Sequence, residues 1–266
     1  MATHKFSEMP EDAMYVPLFV GAAGKFDKDR PQLKTGFARD DEGENISSLN
    51  PYFCELTGLY WAWKNLQADF IGLVHYRRFF TQKKVKGNLI GSALSYEELV
   101  SYLGRYRVFV PEKRRYYIET LRSHYMHTHE ASHLELLEKI IRERYPAYLR
   151  SYDSVLGRRW GYMFNMMIMQ EDLLDKYCVW LFDVLFGLFE NVDTESMSAY
   201  DKRFPGRIGE ILFNVWLDYE IETGDIKSTD IKELDIVEDV AWGKKIKNFL
   251  LAKFFNRKYS QSAPAK

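Results

Sequence analysis

A chain of 266 residues, 46% apolar and 16% aromatic, can bury one large core, alone or with a helical appendix. Its formal net charge of −1 excludes the global cationic field of a nucleic-acid binder. Cys54 and Cys178 fall in apolar helical patterns, which suits buried free thiols in a reducing compartment. No signal peptide is legible at Met1–Lys5 and no apolar run reaches membrane-spanning length, so a cytoplasmic protein is expected.

In chain order, residues 15–20 (YVPLFV) read as a short strand, followed by a polar loop to about Asn50. Asn50-Pro51 opens a helix running to about Leu66, with Asn as cap and Pro in the first turn. Asp69 to Val74 is a short apolar run that predicts a buried strand, ending at His75-Tyr76-Arg77-Arg78. Helices are predicted over 95–104 and 116–126, with a strand at 107–110 between them. The pattern from His133 to Tyr145 is helical and stops at Pro146; 160–169 is strand-like. Residues 170–190 and 208–221 read as further helices. Alternating strands and helices predict an α/β fold with a mostly parallel sheet, whose ligands bind outside the carboxyl ends of the strands.

His75 to Arg78 occupies such an end. The planar, permanently charged guanidinium matches a phosphate, so Arg77 and Arg78 are candidate anion ligands. On an extended segment the two would face opposite ways; a turn would relax that limit. A pair of surface arginines closing a strand is the competing reading.

These residues belong to a longer series: residues 43–47 (GENIS), Asn50, 54–65 (CELTGLYWAWKN), 72–79 (GLVHYRRF), 123–129 (SHYMHTH), 160–167 (WGYMFNMM) and 207–216 (RIGEILFNVW). Their order and content resemble a bacterial capsular and exopolysaccharide glycosyltransferase family that includes galactofuranosyltransferases. The resemblance implies a GT-A-like, Rossmann-like domain over 1–240 with a helix-rich C-terminal part, and transfer of a hexosyl group from a UDP-sugar, favoured as UDP-galactofuranose, to a lipid-linked glycan. Many GT-A enzymes hold a divalent metal with an Asp-x-Asp pair where His75-Tyr76-Arg77 stands in this chain. Cations in place of carboxylates lead us to expect metal-independent transfer without cofactor, with Arg77, Arg78 and His75 stabilising the UDP leaving group.

An inverting reaction needs a general base, for which Glu210 is the first candidate, ahead of Asp201 and Glu171; an ion pair with Arg207 would give Glu210 a purely structural role. The matched segments offer His4, Lys5, Asn45, Asn50, Glu55 and Arg207 as further donor-binding candidates, and His124, His127 and Trp63 as acceptor or phosphate contacts. Trp61 and Trp63 point to different helix faces, so at most one lines a pocket. His129-Glu-Ala-Ser-His133 also fits H-E-x-x-H, whose histidines share a zinc when both lie on one helix, so a zinc hydrolase is an alternative reading. The same residues would also serve transfer from a different UDP-hexose donor, or a non-catalytic subunit that binds nucleotide sugar or glycan. Residues 241–266 form a basic amphipathic tail suited to the anionic inner face of a cell membrane, or to packing as an ordinary helix.

Overall fold

The computed structural model describes residues 1–5, 7–25, 36–83 and 88–239. The basic tail therefore lies outside the described residues. The described chain is α/β. Strands β1 (Ala2–Thr3), β2 (Leu18–Phe19) and β3 (Ala38–Arg39) form a parallel sheet in that order. A second sheet has the order β4 (Phe70–Leu73), β9 (Met167–Gln170), β6 (Val108–Pro111), β10 (Ile231–Glu238), β5 (Arg78–Thr81). Only β6 and β10 run parallel in it; β4–β9, β9–β6 and β10–β5 are antiparallel. Parallel pairing thus dominates the N-terminal strands, and the remainder is mixed.

Ala2 joins the two sheets. Its N–H donates to Val74 O (2.9 Å) and its carbonyl accepts from Tyr76 N (3.2 Å), a parallel bridge to His75. The carboxyl ends of β1 and β4 therefore lie side by side. Helices α1 (Asn50–Phe53) and α2 (Leu56–Asn65) follow β3. Gly58 of α2 lies so close to the parallel strands that a Cβ there would come within 2.9 Å of Val20 Cγ1. The C-terminal half is helix-rich: α4 (Leu121–Thr128), α5 (Ser132–Arg144), α6 (Leu149–Gly157), α7 (Glu171–Glu190) and α8 (Phe204–Thr223), after α3 (Tyr96–Leu103). The apolar faces of α4 to α8, with Trp216, Tyr177 and Phe213, make the main core, whereas α3 packs through Leu99 on the smaller one. A smaller cluster, with Tyr76, Phe79, Phe80 and Phe109, fills the curl of the second sheet.

Several boundaries differ from expectation for identifiable reasons. The helix predicted over 50–66 breaks at Cys54, which adopts φ +54. Asn50 is not its N-cap; it is the first helical residue, and its side chain donates to Cys54 O (2.8 Å) and Thr57 Oγ1 (3.1 Å) across the break. The helix predicted over 116–126 starts only at Leu121, where Thr120 and Ser123 form a capping box. The residues before it pair with a neighbour instead: β7 (Arg114–Arg115) is antiparallel to β8 (Trp160–Gly161). The strand-like run 160–169 is split into β8 and β9 by Phe164 and Asn165, with φ +78 and +50. The strand read over 15–20 shortens to β2, and β3 interrupts the supposed loop. Both cysteines are free thiols, Cys178 buried and Cys54 half-buried.

Candidate active site

His75-Tyr76-Arg77-Arg78 is a two-residue hairpin turn, not an extended strand end. His75 N donates to Arg78 O (3.1 Å) and Arg78 N to His75 O (2.9 Å). The alternation expected for Arg77 and Arg78 accordingly does not apply, and the two arginines separate by role. Arg78 turns back on the fold. Its Nε and Nη2 both donate to Glu238 Oε2 (3.0 and 2.7 Å), and its guanidinium lies 3.7 Å from the centre of the Phe164 ring. Arg77 is exposed, with its guanidinium 5.0 Å from the Tyr76 ring centre.

Around Tyr76 the ends of β1 and β4 assemble a basic cluster. His4 meets the Tyr76 ring edge-on at 5.2 Å and Lys5 Nζ lies 5.4 Å from the ring centre. Burial lowers the His4 pKa, and the charges of Arg77, Lys5, Lys25 and Arg203 lower it further. Three basic side chains thus meet at Tyr76 where β1 and β4 end, within reach of the charges of Lys25 and Arg203, an arrangement suited to a polyanion. The adjoining loop is tied together by Asp40, fully buried, which accepts from Gly21 N (2.8 Å), Ala22 N (2.9 Å), Ser47 Oγ (2.5 Å) and Thr57 Oγ1 (2.7 Å). Gly21 in this loop has φ +65, with the Asn50 side chain occupying the place of a Cβ.

Arg203 links this cluster to a pair of carboxylates. Its Nε donates to Cys54 Sγ (3.0 Å), and the charge of the neighbouring Glu55 acts on it. Burial pushes the Cys54 thiol up to about 11, so it is not a ready nucleophile. Glu55 Oε1 accepts from Asn165 Nδ2 (2.7 Å), which also donates to Gly206 O on α8 (2.9 Å). Next to Glu55 on α8 stands Glu210. Burial first, then the charge of Glu55, raises its pKa to about 7, against the pull of Arg114, Arg78 and Arg207. No hydrogen bond or ion pair engages its carboxylate among the described residues. Arg207 instead donates to His129 Nε2 (2.7 Å) and stacks on Tyr200 at 3.8 Å. A desolvated, unengaged carboxylate titrating near neutrality has the properties of a general base.

The other candidates are placed as follows. His75 is half-buried; desolvation of its ring lowers its pKa, and Nε2 donates to Phe164 O (2.6 Å), which fixes the proton on that nitrogen. Asn45 closes a local turn, donating to Gly43 O (2.8 Å) and accepting from Ser47 N (3.2 Å). His124 and His127 both donate through Nδ1 to Glu119, at 2.8 and 2.9 Å, and His124 packs on Tyr116 with ring centres 4.4 Å apart. Trp63 lies away from this centre. It donates to Asp175 on α7 (2.8 Å) and stacks on Phe182, about 12 Å down the helix from Glu55. Trp61 is buried, donating to Glu42 O (2.9 Å). Asp201 is taken up by Ser198 (2.6 Å), and Glu171 begins α7 at the far end of β9. The H-E-x-x-H pair does not share a helix: His129 ends α4, while His133 sits in α5, bonded to Tyr125 (2.9 Å) and stacked on Phe204. The zinc-hydrolase geometry is therefore not formed. No group of three or more His, Cys, Asp or Glu with ligating geometry occurs among the described residues.

Lys25, Arg203, Arg114, Asn165 and Asp40 are site residues that the sequence alone did not single out. Asn165 lay within a matched segment, and its left-handed backbone is a conformation Asn tolerates better than most residues. The others come together only through tertiary packing.

Residues 1–221 match the family described as "Domain of unknown function (DUF4422)". The chain belongs to this family. The apo structure of the bifunctional glycosyltransferase WbbM is similar to this DUF4422 chain, with 27% identity and a TM-score of 0.77. The similarity covers 90% of this chain and 45% of WbbM, so the chain spans a little under half the length of that protein. No curated protein matches it. The α/β architecture is thus one that a glycosyltransferase uses. No helix among the described residues is long and apolar enough to cross a membrane.

Proposed function

We propose that this chain is an inverting glycosyltransferase that moves a hexosyl group from a UDP-sugar to a lipid-linked glycan, with Glu210 as general base. The observation that carries the proposal is the junction of two unlike clusters. His4, Lys5 and Arg77 around Tyr76, with Lys25 and Arg203 near enough for their charges to act on His4, suit a diphosphate, and an unengaged carboxylate near neutral pKa lies beyond Arg203. Glu210 takes the proton from the acceptor hydroxyl as its oxygen attacks the anomeric carbon. The bond to the donor diphosphate breaks, and UDP leaves with its charge offset by Arg77, Lys5, Lys25 and Arg203. His75 and Arg78 act from behind by holding Phe164. Because fixed cations surround the diphosphate position, the reaction is independent of a divalent ion. The favoured donor is UDP-galactofuranose, on the family resemblance. The 241–266 tail would form a separate basic segment beyond this 1–240 domain.

A panel of UDP-hexoses, including UDP-galactofuranose, is offered to the chain with lipid-linked acceptors from membranes, with and without EDTA. Transfer unaffected by EDTA is expected. Donor binding without turnover across the panel would replace the enzyme with a binding subunit. Activity lost in EDTA and restored by Mn²⁺ or Mg²⁺ would refute the metal-independent route.

A further inference from the structure

The β7–β8 ribbon carries a surface that donor binding and base catalysis leave unused. Tyr117 and Ile118, just beyond β7, are 78% and 60% exposed. Tyr117 has φ +58, and Ile118 N donates to Tyr116 O (2.6 Å), closing a γ-turn. An aromatic residue in the left-handed region costs backbone energy, and such strain collects at functional positions. Here it holds two apolar side chains out into water. Arg159 Nη1 fastens the turn by donating to Tyr117 O (3.1 Å).

The surroundings are cationic. Arg115 and Arg159 are exposed, and no salt bridge engages either among the described residues. The neighbouring acid, Glu119, is half-buried and occupied by His124 and His127. An apolar tip ringed by unpaired guanidinium groups complements a partner with negative charge at its surface and apolar matter just beneath. Tyrosine suits that boundary, since its ring is apolar and its hydroxyl is not.

We infer that this ribbon docks on an anionic phospholipid bilayer, with Tyr117 and Ile118 inserted at headgroup level and Arg115 and Arg159 against lipid phosphates. The docking is independent of the 241–266 tail and needs no transfer reaction. Arg114, on the same ribbon, acts on Glu210, so docking brings the rim of the candidate site to the membrane surface.

The test is flotation of the full chain with vesicles of phosphatidylglycerol in phosphatidylcholine, and with pure phosphatidylcholine. Wild type is expected to float with the anionic vesicles and to release at high salt. The double variant Tyr117→Ser/Ile118→Ser and the single variant Arg115→Glu should each lower the partition coefficient about tenfold or more. Unchanged melting temperatures confirm that each variant folds. Partition equal to wild type in either folded variant overturns the proposal, as does failure of the wild type to bind anionic vesicles.

Discussion

Replacing Glu210 by Gln should disable the chain and stabilise it at once. Wild-type Glu210 titrates at about 7 in the fold against an ordinary 4.5. The folded state thus holds this proton more tightly than the unfolded chain does. Its contribution is fully present below about pH 4.5 and is lost as pH rises to about 7. The displacement, 7 − 4.5 or about 2.5, corresponds to at most about 3.4 kcal/mol at about 1.36 kcal/mol each. Glu210 is only half-buried, so screening reduces the figure to about 1–2 kcal/mol. Gln keeps the shape without the charge. Glu210→Gln should therefore raise the melting temperature by roughly 2–6 °C at pH 8, and by about a quarter of that at pH 5, where little of the penalty has developed. The same variant should lose about 10²–10⁴ in kcat, the range for a general base. Differential scanning calorimetry at both pH values and initial rates at saturating donor read the two effects. A variant equally destabilised at both pH values, or one retaining activity within about threefold, would refute the assignment.

Glu55→Gln removes the like charge beside Glu210 while Gln can still accept from Asn165; the acid limb of kcat/KM should move from about pH 7 toward about pH 6, and a limb that stays in place would show that Glu55 does not act on the base. Arg77→Ala should raise the donor KM at least about tenfold with melting little changed, whereas Arg78→Ala should lower stability by about 1–3 kcal/mol through loss of the Glu238 contact; urea titration and donor kinetics separate the two. Asp40→Ala should cost about 3–5 kcal/mol, because two backbone N–H groups and two hydroxyls lose their acceptor in a buried place; a midpoint within experimental scatter of wild type would contradict this. Trp63→Phe, far down α2, should leave the donor KM unchanged in the same kinetics while melting slightly earlier.

Local patterns carried much of the fold. The run Asp69–Val74 is apolar because it is buried, and the long helices α7 and α8 declare themselves by periodicity. Glu210 and Arg207 could be picked out because they share one helical segment. What stayed hidden was set by partners distant in sequence. The break at Cys54 depends on Asn50 reaching forward and on Arg203 arriving from the C-terminal half. The ion pair imagined between Arg207 and Glu210 is replaced by His129, which comes from another helix. Arg77 and Arg78 looked alike in sequence, and only the turn, together with Glu238 of β10, gives them different work. Asp40 sat in what read as a polar loop, with nothing local to announce four donors.

The position of β10 bears on the order in which the molecule can become competent. This strand, the last of those described, fills the gap between β6 and β5, and it supplies the carboxylate that anchors Arg78. Until residues 231–238 have been synthesised, β5 and β6 face each other across a missing partner, each with unpaired backbone groups along one edge. A ribosome-bound chain ending before Ile231 would carry two sticky borders and an Arg78 without its carboxylate. The anchoring of Arg78, though the residue is encoded in the first third of the sequence, would thus be among the last features to set, and elongation pauses short of β10 would be the moments at which misassembly competes with folding.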